Sequence, residues 1–226
     1  MLSGPKARAV LQKVTDTDLS NEKFPWLSGQ EIVIGCAPAR ALRVNFVGEL
    51  GWELHHPLTC QNHIFDALME AGKEFGIRPY GIRAMDSLRI EKSYKYWRVD
   101  LYTEYNAWES GLDRFIHLNK GEFIGREALV RQQQEGLKRK FATIEVDAKG
   151  SDPWGNEPLF IGKQMVGRTT SGAYGYTIGK SLAVGYVQAD KTAAGTEMEI
   201  QMLGKRHKAR VIADSPWDPE NARLRA

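Results

Sequence analysis

The stretch Gly48-Glu49-Leu50-Gly51-Trp52-Glu53-Leu54 combines two glycines and two glutamates with three large apolar side chains. A half-buried strand does not need both glycines, and a loop does not need three large apolar residues. Glycine within a strand often marks a place where a ligand or another backbone approaches closely. A carboxylate on such a strand can accept two parallel hydrogen bonds from a planar donor pair. The stretch therefore predicts either a strand that binds a flat heterocycle through Glu53 or Glu49, or an edge strand that exposes both glutamates.

The residues around this stretch predict a mixed structure of strands and helices. Two strand-like segments, residues 31–34 and 41–47, are joined by a hairpin signal at Gly35-Cys36-Ala37-Pro38, and the quoted stretch continues the second of them. Apolar residues at helical spacing, or proline in a first turn, predict helices elsewhere. These helices follow Gly4-Pro5 and cover residues 61–75, 79–93 and 125–134.

After residue 136 the sequence changes in character. Short β-rich segments separated by glycine-rich turns follow one another, namely FATIEV, EPLFI, MVGRTTSG, LAVGYV, EMEIQM and KARVIA. No helical periodicity persists in this part, which is typical of a small antiparallel barrel or sandwich. We therefore predict an α+β fold with two domains: residues 1–136 form an α+β domain, and residues 137–226 form a small antiparallel β-barrel.

Composition and charge limit the classes of function. The 226 residues carry a formal net charge of +3 that is spread along the chain, so we expect no nucleic-acid partner. The densest basic cluster, residues 204–208, lies between two β-rich runs and reads as a solvated hairpin turn. No apolar run is long enough to span a membrane, and no signal-peptide core begins the chain. We expect a cytoplasmic protein, or a mitochondrial matrix protein if it is eukaryotic.

The cysteines and histidines do not form a metal-binding pattern. Cys36 and Cys60 are far apart and predict reduced thiols rather than a disulfide framework. The five histidines show no HExxH spacing. We therefore expect no metal site.

Four collinear stretches resemble the glycine cleavage T-protein family, the tetrahydrofolate-dependent aminomethyltransferases. They are GPKARAVLQKVTDTDLSNEKFP (residues 4–25), ALRVNFVGELGWELHHP (41–57), GIRAMDSLRIEKSY with ESGLDRFIHLNKGEFIGREAL (81–94 and 109–129), and TTSGAYGYTIGKSLAVGYV (169–187). Together they cover most of the chain. Within the family, the GELGWEL form and RIEKSYKYWRVDL are more similar to the T-protein-like portion of dimethylglycine and sarcosine dehydrogenases. The arginine that contacts folate in ordinary T-proteins falls on Met85, which argues against a lipoyl-linked role in glycine cleavage.

The resemblance implies a function and a set of site residues. The family transfers a one-carbon unit, as an aminomethyl or methylene group, from a small amine or methylated donor to tetrahydrofolate. It places the pterin anchor at Glu53. Glu49 falls at a turn position, where a structural role fits at least as well as a contact to folate. Aromatic residues line the family's pocket, so Tyr96 and Trp97 are candidate contacts to folate, and we expect Trp108 to pack in the core. No catalytic residue is assigned.

Two further features are interpreted as structural. We expect Arg89 to pair with Asp86 at helical spacing rather than with the glutamyl tail of folate. Residues 120–127, KGEFIGRE, match a family segment that ends a strand region and begins a helix. Neither Asp86 nor Asp100 is proposed as a replacement for the aspartate that family members carry further upstream.

The resemblance begins partway into the family's folate-binding domain. Residues 1–136 then correspond to the C-terminal part of that domain, and residues 137–226 to the family's barrel domain. The flavin-dependent relatives carry a flavin-binding region upstream, whereas this sequence has no GxGxxG and predicts no FAD site. We expect this chain alone to be incomplete as an enzyme. An upstream segment, a flavin-binding partner region or self-association would cover the open sheet edge that half a domain leaves.

Three alternative functions remain. The first is a non-transferase folate-binding protein of the kind linked to iron–sulfur maintenance. Such relatives carry a cysteine in a KGCYxGQE-like segment, and the matching residues 120–127 contain none, which argues against this alternative. A tetrahydrofolate-dependent demethylase of a sulfonium or methylamine is compatible with the sequence. So is a non-catalytic folate-binding or interaction module, in which the barrel docks a partner.

Overall fold

The computed structural model describes all 226 residues and divides them into two compact units. Unit 1 contains Met1–Asp86 and the C-terminal segment Asp218–Ala226, and unit 2 contains Ser87–Trp217. This division falls earlier in the chain than the predicted domain boundary at residue 137, because residues 87–136 pack with the strands that follow them. The predicted boundary instead lies two residues before the first barrel strand, which begins at Arg139.

Five α-helices and ten strands make up the regular structure. The helices are α1 Ala7–Gln12, α2 Gln61–Gly72, α3 Ile82–Ile90, α4 Arg126–Glu135 and α5 Ala222–Arg225. The strands are β1 Leu2–Ser3, β2 Gly29–Ile34, β3 Ala37–Leu42, β4 Gly51–His55, β5 Arg139–Asp147, β6 Pro158–Ile161, β7 Gln164–Gly175, β8 Lys180–Gln188, β9 Glu197–Met202 and β10 Lys205–Ile212. No helix is both long enough and apolar enough to cross a membrane.

Unit 1 contains a four-stranded antiparallel sheet in the order β1-β4-β3-β2. Alternate residues of each strand point to one face, which is covered by a core that includes α1 and α2 residues such as Leu11 and Ile64. The prediction of a single strand over residues 41–47 that continues into the quoted stretch was wrong. The strand β3 ends at Leu42, and β4 begins at Gly51 as a separate strand. The chain leaves the sheet at Arg43, which is buried and donates to the carbonyl of Phe24.

Unit 2 contains a closed six-stranded barrel in the order β10-β5-β8-β7-β6-β9. Its interior is filled by aliphatic side chains, among them Ile144, Leu159 and Ile200, which are fully buried. Neighbouring strands come very close at Gly185, where an added Cβ would lie 2.3 Å from the Arg168 carbonyl oxygen. Closure removes the unpaired edges that an open sheet would leave. The predicted α+β architecture with a small antiparallel barrel is confirmed.

Candidate functional site

Glu53 lies on β4 of unit 1, opposite Leu42 of β3. The two-residue period of the strand sends Trp52 into the core, where its ring meets the Phe24 ring edge-on at 6.1 Å. Glu53 therefore points to the opposite face of the sheet, and its side chain is 38% exposed. The one polar side chain bonded to its carboxylate is His55, whose Nε2 lies 3.3 Å from Oε2. The carboxylate therefore keeps the capacity to accept further hydrogen bonds.

Glu49 lies in the turn before β4 and has a different environment. Its carboxylate accepts from the guanidinium of Arg223, with Nη1 at 3.2 and 3.4 Å from its two oxygens. Its main-chain carbonyl accepts from the Asn45 side chain. A cation of the C-terminal segment thus already neutralises this carboxylate. The arrangement favours a structural role for Glu49 and separates it chemically from Glu53.

The two glycines of the stretch have separate structural causes. Gly48 has a φ of +74°, a left-handed conformation that suits glycine in a turn. Gly51 faces the neighbouring strand β1, and an added Cβ would lie 2.4 Å from the Leu2 carbonyl oxygen. The close approach expected from the sequence is therefore an approach of another backbone. The glycines do not by themselves indicate a ligand, so the case for Glu53 rests on its carboxylate and its position in the strand.

An apolar groove of about 830 Å³ also lies in unit 1. It is bordered by β1, α1, α2 and the segment from Gly76 to Ile82. Met85, the position where the resemblance would place a folate-contacting arginine, forms part of its wall, whereas Glu53 does not. The groove therefore presents an apolar side chain at position 85, while Lys6 and Arg78 line it elsewhere.

Tyr96 and Trp97 lie in unit 2, on the loop that follows α3. The Trp97 ring is 69% exposed and carries the Arg98 guanidinium 4.6 Å from its centroid. Tyr96 is half-buried, and its ring lies 5.6 Å from the Arg89 guanidinium. Trp97 thus presents an accessible aromatic face, which a flat ligand could stack upon. Trp108, in contrast, is buried and donates from Nε1 to the Leu129 carbonyl at 2.9 Å, as expected of a core residue.

A buried carboxylate, Asp100, organises this aromatic loop. Its Oδ2 accepts from Arg89 Nη1 at 2.8 Å and from the Tyr96 amide at 2.7 Å. Its Oδ1 accepts from the hydroxyls of Thr170 and Ser171. Arg89 was expected to pair with Asp86 at helical spacing, and its buried ion pair with Asp100 was not predicted. The loop carrying Tyr96 is consequently held by its own aspartate rather than by packing alone.

Two more buried polar groups of unit 2 were not anticipated. Tyr186 donates its hydroxyl to the Asp100 carbonyl at 2.9 Å, and burial raises the pKa of this phenol. Glu91 is fully buried, and its Oε1 accepts from the amides of Thr177 and Ile178 at 2.7 and 3.1 Å. Its second oxygen, Oε2, is buried without a hydrogen-bond partner. No local pattern in the sequence marks these positions, because the partners are far apart along the chain.

No group of three or more His, Cys, Asp or Glu side chains in the chain is arranged to hold a metal ion. The charged groups described above act instead as hydrogen-bond acceptors and internal ion pairs.

Comparisons with known proteins cover nearly all of the chain. Residues 1–120 match the GCVT N-terminal domain family, and residues 139–218 match the glycine cleavage T-protein C-terminal barrel domain. The chain is 40% identical to human mitochondrial dimethylglycine dehydrogenase over 94% of its length, and 36% identical to mouse mitochondrial sarcosine dehydrogenase over 99%. It is 33% identical over 93% of its length to an aminomethyltransferase of Koribacter versatilis. The predicted greater likeness to the dehydrogenases than to the aminomethyltransferases is confirmed.

These matches cover only part of each relative. The chain spans 25% of the human dimethylglycine dehydrogenase, 25% of the mouse sarcosine dehydrogenase and 56% of the Koribacter aminomethyltransferase. A similar fold occurs in the crystal structure of the glycine cleavage system aminomethyltransferase T from Bartonella henselae, with a TM-score of 0.83. That comparison covers 96% of this chain and 58% of the Bartonella chain, at 24% sequence identity.

Proposed function

Because the chain belongs to the glycine cleavage T-protein family, we propose that it takes part in tetrahydrofolate-dependent one-carbon transfer. The donor is a small amine or a methylated compound, and the transferred group is an aminomethyl or methylene unit. The names of the relatives support this reaction class, since they include aminomethyltransferases as well as dimethylglycine and sarcosine dehydrogenases. An upstream segment or a flavin-binding partner region would supply the remaining parts of the reaction.

The observation that carries the proposal is the environment of Glu53. Its carboxylate is half-exposed on the face of the sheet opposite the core, while the neighbouring glutamate of the same motif is held by Arg223. A pterin ring presents a ring N–H beside an exocyclic amine, and a carboxylate can accept from both in parallel. Glu53 can therefore anchor and orient such a ring. Its role is positioning, and no proton transfer at the reacting nitrogen is assigned to it.

Tyr96 and Trp97 are proposed as aromatic contacts to folate. The exposed Trp97 ring offers a flat apolar face for the pterin or the aminobenzoyl group, and ring stacking contributes about 0.5–1.5 kcal/mol beyond burial. Asp100 holds the amide of Tyr96 and thereby limits the conformations of the loop. A loop that is ordered before binding loses less conformational entropy when the ligand arrives.

Tetrahydrofolate would supply the nitrogen that accepts the one-carbon unit. The residues of this chain would bind the cofactor and fix its orientation, so their contribution to the rate comes from proximity rather than from acid–base chemistry. The half-exposed carboxylate of Glu53 fits the donor pair of a pterin, and Met85, in the wall of the apolar groove, provides no cation for a glutamyl tail.

The proposal is tested by calorimetric titration of the 226-residue chain with 5-formyl-tetrahydrofolate. Glu53→Gln keeps the shape of the side chain and removes its charge, and Glu49→Gln is the matched control in the same motif. We expect Glu53→Gln to weaken binding by about 1.5–3 kcal/mol, the scale of a hydrogen bond to a charged group. We expect Glu49→Gln to bind as the unmodified chain does, because Arg223 already occupies that carboxylate.

Two results would contradict this assignment. Equal affinity of Glu53→Gln and the unmodified chain would remove Glu53 as the anchor. Absence of binding by the unmodified chain would mean that this chain does not by itself form the folate site, and would favour the reading as an interaction module. A parallel titration of Trp97→Leu tests the aromatic contact separately, since this exposed ring can be replaced without opening a cavity in the core.

A further inference from the structure

Lys95 of unit 2 has an environment that is unusual for a lysine. Its Nζ lies 4.6 Å from the centroid of the Phe141 ring. It donates to no hydrogen-bond acceptor and lies in no ion pair, although the residue is half-buried. Most lysines keep the ammonium group fully hydrated, and burying it without a partner favours the neutral amine.

The charged groups around Lys95 do not restore the usual preference for the ammonium form. Burial lowers the pKa of Lys95 and outweighs the attraction of Asp214, while Arg114 adds repulsion. Asp100 and Asp113 oppose the shift only weakly. The carboxylate of Asp214 accepts from the Thr143 hydroxyl at 2.7 Å, and Asp100 is saturated by the network described above. One oxygen of Asp214 and both oxygens of Asp100 thus have hydrogen-bond donors other than Lys95.

Space is open beside the amine. Gly111 has a φ of +63°, and the only atom within 4 Å of a Cβ built on this glycine is Lys95 Nζ, at 3.9 Å. Nothing else of the chain occupies that position. The position of a Gly111 Cβ, 3.9 Å from Nζ, thus has room for a methyl-sized group beside the amine.

We propose that Lys95 is a nucleophilic amine that forms an imine with small, uncharged aldehydes. A desolvated lysine is the residue type that reacts in this way with carbonyl compounds. The nitrogen lone pair attacks the carbonyl carbon, the carbonyl π electrons move to oxygen, and a proton passes from nitrogen to oxygen to give a carbinolamine. Loss of water then forms the C=N bond. Amine and aldehyde give imine and water, so no oxidant or reductant is required.

Lys92 serves as an internal comparison. It is 1% exposed, and its Nζ donates to the Trp217 carbonyl at 3.0 Å. Its amine is thus both bonded and inaccessible, and we expect it not to react. Lys180 is an exposed lysine that pairs with Glu145 at 2.8 Å, and we expect its amine, held by this carboxylate, to react slowly.

The first experiment measures imine formation at every lysine of the intact folded chain. The chain is incubated with acetaldehyde and sodium cyanoborohydride, which reduces each imine to a stable ethylamine, and peptide mass spectrometry gives the rate at each position across neutral to alkaline pH. We expect Lys95 to be labelled several times faster than the exposed lysines at neutral pH, with the midpoint of its pH profile at lower pH. Labelling no faster than the exposed lysines would overturn the proposal.

The second experiment restores a carboxylate partner without changing Lys95. Asp and Asn tolerate the left-handed conformation of Gly111 better than other residues that carry a Cβ. In Gly111→Asp the new carboxylate would pair with the Lys95 ammonium, whereas Gly111→Asn has the same size and no charge. We expect Gly111→Asp to slow labelling of Lys95 to the rate of exposed lysines, and Gly111→Asn to leave it faster. Equal rates in the two variants would show that charge does not control the reactivity and would contradict the proposal.

Discussion

Arg89 and Asp100 form an ion pair that is almost completely removed from solvent, with Nη1 and Oδ2 2.8 Å apart and side-chain exposures of 3% and 0%. The pair joins the end of α3 to the loop that carries Tyr96 and Trp97. Buried charges are tolerated only when each has enough partners, and Asp100 meets this condition with four donors. The pair therefore determines the conformation of the loop as well as its stability.

Replacing one member of this pair is expected to be costly. Asp100→Asn removes the buried carboxylate charge that lies 2.8 Å from the Arg89 guanidinium, and we expect it to lower the free energy of unfolding by about 3–5 kcal/mol. Urea denaturation followed by circular dichroism gives the value. Asp147→Asn is the control, because Asp147 is exposed at the end of β5 and should change stability by less than about 0.5 kcal/mol. Similar losses in the two variants would show that the Asp100 charge is not specifically required.

The close approach at Gly51 gives a second prediction. A methyl group at this position would lie 2.4 Å from the Leu2 carbonyl oxygen and 3.0 Å from Ser3 Cα, so β1 must move away from β4. We expect Gly51→Ala to destabilise the chain by about 1–3 kcal/mol, the usual cost of overpacking. Hydrogen exchange should also become faster at the Gly4 amide, which is bonded to the Leu50 carbonyl next to this contact.

The control for this prediction is Gly81→Ala. Nothing lies within 4 Å of a Cβ built on Gly81, and its φ is not left-handed. A methyl group there should change stability by less than about 0.5 kcal/mol. If Gly51→Ala were equally neutral, the separation of β1 and β4 would have to be adjustable. The contact with β1 would then not explain why a glycine stands at position 51, and contact with a ligand would become the better explanation.

The barrel was predictable because its signal is local. Short β-rich segments follow one another with turns between them, and β9 alternates buried and more exposed residues, so residues 197–202 were predicted as the strand that the structure shows. Unit 1 was harder to predict. The strand β3 ends at Leu42 because Arg43 bonds to Phe24, 19 residues away, and to the Ala226 carbonyl oxygen, 183 residues away. No window of sequence around residue 43 contains that information.

The candidate site shows the same limit. The alternation around Trp52 explains why Glu53 faces away from the core. It could not distinguish Glu53 from Glu49, because the difference lies in Arg223, 174 residues further along the chain. Asp100 was missed for a similar reason, since the Thr170 and Ser171 hydroxyls that complete its network lie 70 and 71 residues away. Long-range polar contacts leave no periodic pattern to recognise.

The last prediction concerns the pH dependence of stability at Glu145 on β5. Burial raises the pKa of this carboxyl, but hydrogen bonds from Lys180 at 2.8 Å and Arg210 at 3.2 Å outweigh it, and the pKa lies below its ordinary value. A carboxyl whose pKa is lower in the folded state stabilises the fold above the unfolded-state pKa of about 4.3, and that contribution is lost as the pH falls through the folded-state value.

Glu145→Gln should therefore lower the free energy of unfolding by roughly 0.2–1 kcal/mol at neutral pH and by almost nothing in strong acid. Glu135→Gln, with one exposed contact at 4.0 Å, should show a smaller loss. A loss at Glu145→Gln that persisted unchanged in acid would mean that packing, rather than charge, accounts for it.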